Sequence, residues 1–105
     1  MRKIIATSTF NKDLKGVNKH QRRDEIQKNL ELYVNLLATG QDLPPKAKHH
    51  PMVKHSPKEF RGCWDFHVLP DMVVVYRMDA DSIYLLRIGK HNHLGLTEAC
   101  LELTK

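Results

Sequence analysis

The chain changes hydrophobic period once, near its middle. Over the first half, apolar residues recur every three or four positions. Phe10, Leu14 and Val17 do so and predict a short helix that Ser8 or Thr9 can cap. From Gln21 to Thr39, Ile26, Leu30, Tyr33 and Leu37 form a stripe at helical spacing while Arg22, Arg23, Glu25 and Lys28 face the other way. Gly40 is a suitable stop for this second helix, and Pro44-Pro45 forbids its continuation. Ahead of both helices, Lys3 to Thr9 carries the β-branched Ile4, Ile5, Thr7 and Thr9 and predicts a first strand.

From Phe60 the period becomes two. Trp64, Phe66 and Val68 alternate with Asp65, His67 and Leu69, so one face of the predicted strand is apolar and the other carries titratable groups, which this reading leaves exposed. Pro70-Asp71 suits a turn, and the run Val73 to Tyr76 returns as a second strand. After a second turn at Asp79 to Ser82, Ile83 to Ile88 predicts a third strand ending at Gly89. The expectation is a single α+β domain spanning residues 1–105. An antiparallel sheet, the N-terminal strand plus a three-strand meander, packs on two N-terminal helices. LTEACLEL, in the tail from Leu96 to Lys105, predicts a short C-terminal helix.

Between these halves, Gln41 to Pro57 has no amphipathic period and is rich in Lys, His and Pro. It reads as a long irregular surface segment, a kind that is often functional. Charge sharpens that reading: 17 Lys and Arg against 12 Asp and Glu leave a formal charge of +5, which favours a polyanionic partner such as RNA or an acidic protein. Cys63 and Cys100 form neither a CxxC pair nor a disulfide framework and read as thiols of a reducing cytosol. No apolar run approaches a membrane span and no signal-peptide pattern opens the chain, so a cytoplasmic protein without a membrane partner is expected. His91 and His93, with His49 and His50, lack a Cys or carboxylate at a recognisable ligand spacing, so neither metal nor cofactor is expected.

The hairpin gathers chemistry. It sets Asp65 and His67 on the non-core face and Asp71 at its tip. A third strand alongside brings Arg87, Lys90 and His91 within reach, and His50 enters from the basic loop. Cleaving an RNA phosphodiester through its own 2′-hydroxyl needs a base, an acid and cations around the phosphorane-like transition state. Histidine serves both proton roles, its ordinary pKa lying at about 6.5. Arg87 suits a phosphate, and Asp71 or Asp65 can orient an imidazole. Lys46, Lys48, Lys54, Lys58, Arg61 and Lys90 surround the set as candidate RNA contacts. Asp65 has a second reading as the cross-strand partner of Arg77, and Asp71 one as ordinary turn chemistry.

In order along the chain, H50-P51, W64-D65-F66-H67-V68, P70-D71, V73-V74-V75-Y76-R77 and L86-R87-I88-G89-K90-H91 resemble the YafQ-like branch of the RelE superfamily of bacterial type II toxins. The resemblance implies a messenger-RNA interferase that works on the ribosome and is silenced by a cognate antitoxin. It implies catalytic roles for His50, His67 and His91, a carboxylate role for Asp71 and phosphate binding by Arg87, with Asp65 in support. His91 is expected as the acid and His50 or His67 as the base. Met72 and Gly95 stand where members often carry aromatic residues that stack on a base. These departures keep a second function open, a catalytically weak module of the same fold that binds RNA, the ribosome or the antitoxin.

Overall fold

The computed structural model describes residues 2–51 and 62–90. Strand β1, Lys3–Ala6, leads into helix α1, Ser8–Val17, and helix α2, Arg23–Ala38. A 3-10 turn, Pro45–Ala47, precedes a two-residue strand β2, His50–Pro51. Strands β3, Trp64–Leu69, β4, Met72–Met78, and β5, Ser82–Lys90, complete one five-stranded sheet in the order β1-β5-β4-β3-β2. The predicted C-terminal helix lies outside the described residues.

Local chemistry sets the helix ends. Thr7, one residue earlier than expected, caps α1 by accepting the Phe10 N–H at 3.1 Å. At the end of α2 the Gly40 N–H reaches the Leu37 carbonyl and the Gln41 N–H reaches that of Leu36, the paired bonds of a Schellman ending. Gly40 itself has φ 76° with open space around its missing Cβ. The cost of Gly40→Ala is therefore purely conformational, and we expect about 1–2 kcal/mol lost in a denaturant titration.

The sheet departs from the sequence expectation twice. Strand β1 pairs parallel to β5, Lys3 opposite Ser82 through Ala6 opposite Leu85, so the sheet is mixed rather than antiparallel. The intervening helices and hairpins form a long connection that allows this direction. The fifth strand, β2, lies inside the segment read as irregular and pairs antiparallel with β3. It is an edge strand, a place where Pro51, having no N–H to donate, is tolerated in a sheet.

Strand β4 is central, which accounts for its valine run. Val73, Val74 and Val75 are all fully buried, as befits a strand covered on both faces. The main core joins Phe10, Val17, Ile26, Tyr33 and Leu37 of the helices to Phe66, Val74, Tyr76 and Ile88 of the sheet. Tyr33 and Phe66 meet edge to face at 5.8 Å. Cys63, Val73, Val75 and Leu86 form a second cluster. Two one-residue irregularities interrupt the ladders, one between His67 and Leu69 and one opposite the Val75–Tyr76 step, where β5 runs from Leu85 to Arg87. Both flank side chains singled out in the sequence.

Candidate active site

Strand pairing builds the site from its edge inward. In the β2–β3 ladder His50 stands opposite Asp65, and His50 Nε2 lies 3.0 Å from Asp65 Oδ1. Next along β3 on the same face comes His67, just before the bulge, a feature that commonly re-aims a side chain at functional sites. The continued registers Asp65–Val75–Arg87 and His67–Val73–Gly89 carry this face across to β5. Arg87 therefore stands two strands from Asp65, about 10 Å at the usual strand spacing.

Asp65 and His67 are not on an exposed face as the alternation suggested. They lie on the non-core face, yet Asp65 is 1% and His67 6% exposed. A buried carboxylate needs a cation or donors, and the His50 imidazole supplies one, while the Arg77 guanidinium reaches Cys63 Sγ at 3.7 Å. At this distance the His50 Nε2–H can donate to Asp65 Oδ1, so the pair is held by hydrogen bonding as well as by charge.

The two histidines are biased in opposite directions. Asp65 raises the pKa of His50, with the Pro51 carbonyl assisting against burial. Burial lowers that of His67, opposed by the Pro70 carbonyl and Asp65. His67 Nδ1–H donates to the Pro70 carbonyl at 3.2 Å and His50 Nδ1–H to that of Pro51 at 3.1 Å. Those bonds fix each tautomer, placing the lone pair of neutral His67 on Nε2. Asp71 stands exposed in the β3–β4 turn.

His67 opens onto a pocket of about 360 Å³ between the start of α2, the 3-10 turn and the end of β3, lined among others by Lys46, Lys48, Arg22 and Asn29. Lys90, exposed at the end of β5, lines a separate hollow with Lys12 and Lys19. Both lie at the β3–β4 turn end of the sheet, so basic groups flank the histidines from two sides. Lys54, Lys58, Arg61, Gly95 and His91 lie outside the described residues. Met72 is 3% exposed within the main core and offers no stacking surface.

Further contacts surround these residues, and one of them, from Asp13, was not singled out from sequence. Lys48 has φ 47°, and this left-handed corner sends consecutive histidines apart. His50 joins Asp65, while His49 lies tilted against Trp64 at 5.0 Å, stacks on Tyr76 at 5.8 Å and hydrogen-bonds the Tyr76 hydroxyl. Burial lowers the pKa of His49 and raises that of Tyr76 well above its usual value. Asp13 of α1 takes Arg87 in a fork, with Oδ2 to Nε at 2.6 Å and Oδ1 to Nη2 at 3.2 Å. Nothing in linear spacing marks that pair.

Among the described residues, one set of three can hold a metal ion. The ligand atoms of His50, Asp65 and His67 all lie within 4.8 Å of one another. The carboxylate absent from the linear histidine pattern comes from the neighbouring strand. No helix among the described residues is long and apolar enough to cross a membrane.

Residues 2–95 match the family described as the bacterial toxin of type II toxin-antitoxin system, YafQ. A metal-bound toxin from Helicobacter pylori is 32% identical, with 90% of this chain and 99% of that one covered and a TM-score of 0.72. The Escherichia coli DinJ–YafQ complex gives 29% identity, 90% and 98% coverage and a TM-score of 0.70. The YoeB dimer from Staphylococcus aureus, at 14% identity and a TM-score of 0.65, shares the fold. No curated protein sequence matches. With the match running from the first strand past the last, the chain belongs to the YafQ family of bacterial type II toxin-antitoxin toxins.

Proposed function

We propose that this toxin is a ribosome-dependent messenger-RNA endoribonuclease, acting in the cytoplasm and silenced by a cognate antitoxin. The observation that carries the reading is two neighbouring histidines in opposite settings, His50 3.0 Å from the Asp65 carboxylate, which favours its cation, and His67 buried with Nδ1 on the Pro70 carbonyl, which favours its neutral form. Environments that push two titratable groups apart are how one site holds an acid form and a base form together. Neutral His67 Nε2 takes the 2′-hydroxyl proton, and O2′ attacks the adjacent phosphorus. The P–O5′ bond breaks, the leaving O5′ takes a proton, and the products carry a 2′,3′-cyclic phosphate and a 5′-hydroxyl. The family resemblance gives the acid role to His91. His50 and Arg87 supply positive charge to the phosphorane-like transition state, while Lys46 and Lys48 steer RNA into the pocket. The E. coli relative was solved with DinJ, which supports a protein antitoxin here.

This reading fixes a pH profile. His67 must be neutral, so the rate rises as pH climbs through its lowered pKa; His50 and the acid His91 must both be charged, so the rate falls once rising pH removes the proton from either. We expect kcat on a bound message to be bell-shaped, its acid limb below about 6.5 and its alkaline limb above. A rate flat across that range contradicts the assignment.

A second property of the same cluster follows from the 4.8 Å His50–Asp65–His67 set, and the Helicobacter relative is described as metal-bound. Imidazole and carboxylate together suit zinc, copper or nickel. An ion seated there takes the lone pair the base needs. Zinc is therefore expected to inhibit cleavage, and a chelator that spares the magnesium of the ribosome should restore it. Full activity of zinc-loaded protein would contradict this.

A further inference from the structure

Asp13, a carboxylate of the helical layer, meets Arg87, the proposed phosphate-binding group. It is 9% exposed, and besides its fork on Arg87 its Oδ2 accepts the Ile88 N–H at 3.2 Å. That N–H belongs to the part of β5 beyond the end of β1, where no strand carbonyl is present to receive it. Thr7 treats the neighbouring stretch likewise, its N–H going to the Leu85 carbonyl and its hydroxyl to that of Leu86. The first turns of α1 thus continue the sheet edge that β1 leaves off. On this view alone Asp13 is an edge plug.

The guanidinium changes that view. Arg87 follows the extra residue of β5, a position where backbone geometry alone constrains a long side chain poorly. A guanidinium has two usable edges. Asp13 grips the edge made by Nε and Nη2, and the edge made by Nη1 and Nη2 is the one a phosphate would address. A carboxylate anchored at once to the strand backbone and to the side chain sets the plane and height of that second edge. Electrostatic stabilisation depends on such preorganisation, since a donor already in place need not reorganise as charge develops.

We propose that Asp13 is a positioning residue for RNA cleavage, orienting Arg87 toward the scissile phosphate. This rests on the ribonuclease reading above. The test compares wild type, Asp13→Asn, Arg87→Ala and the double variant on ribosomes translating a defined message, with kcat and KM separated and folding checked by thermal melting. Asp13→Asn keeps size and an acceptor for Ile88 but loses the charged fork. Its kcat is expected to fall about 10-fold or more with KM little changed, and it should add nothing in the Arg87→Ala background. The Arg87 Nε–H resonance should also lose its low-field position and exchange faster with water. A folded Asp13→Asn protein with wild-type kcat overturns the proposal, as do losses that multiply in the double variant. An inactive wild type on the same ribosomes overturns the ribonuclease reading and this proposal with it, and is told apart from the other failures by the wild-type lane alone.

Discussion

Replacing His67 with Gln is expected to lower kcat on a ribosome-bound message by about 10²–10⁴-fold, the usual contribution of a positioned general base. Gln can still donate to the Pro70 carbonyl from the space His67 occupies, so the hairpin should fold, but it cannot take a proton. The measurement is single-turnover cleavage at saturating protein, with thermal melting to confirm the folded state. A histidine that merely filled the non-core face would leave kcat unchanged in the folded variant. Because burial lowers the pKa of His67, the acid limb of the pH profile should vanish with it, whereas the alkaline limb set by His50 and His91 should remain in any residual activity.

Arg87→Ala is expected to lower kcat by about 10²–10³-fold, the range for removing one preorganised donor from a developing anion. This substitution also leaves Asp13 nearly buried without its cation, so a fall in stability accompanies it. Arg87→Lys separates the two effects. Lysine restores a positive charge near Asp13 but presents a point charge in place of a planar fork, so melting should recover more than kcat does. An Arg87→Lys enzyme as fast as wild type would mean that charge alone suffices. A rise in KM with kcat unchanged in either variant would reassign Arg87 to uniform RNA binding.

The order of elements was legible because the change of hydrophobic period is large and both helices bury a stripe: Ile26, Tyr33 and Leu37 are in the core as expected. The direction of β1 was not, since no local signal distinguishes a strand that pairs parallel from one that pairs antiparallel; hydrogen bonds to β5, 79 residues away in sequence in the Lys3–Ser82 pair, settle it. Strand β2 was missed because two residues, one of them proline, carry no period. The alternation around Trp64 placed Asp65 and His67 on the correct face, yet alternation says nothing about whether that face is covered, and their burial is what biases the histidines. Asp13 was invisible for a related reason: its partner Arg87 lies 74 positions later, and an aspartate in a basic helix reads as a solvated charge. His67, Asp65 and Arg87 stood out because their residue types are scarce within strand patterns, and His50 because it lies in the basic loop beside them. Their bulges and backbone partners belong to tertiary structure.

The central claim is that the RNA cuts itself through its own 2′-hydroxyl under histidine control. The most direct measurement uses a message cleaved by the purified toxin on translating ribosomes, its cut site mapped, and then the same message with a single 2′-deoxy substitution at the nucleotide 5′ to the cut. The native message should yield a 2′,3′-cyclic phosphate and a 5′-hydroxyl, and the substituted one should remain intact at that position while still binding. Equal cleavage of the deoxy message, or ends carrying a 5′-phosphate, would contradict the account.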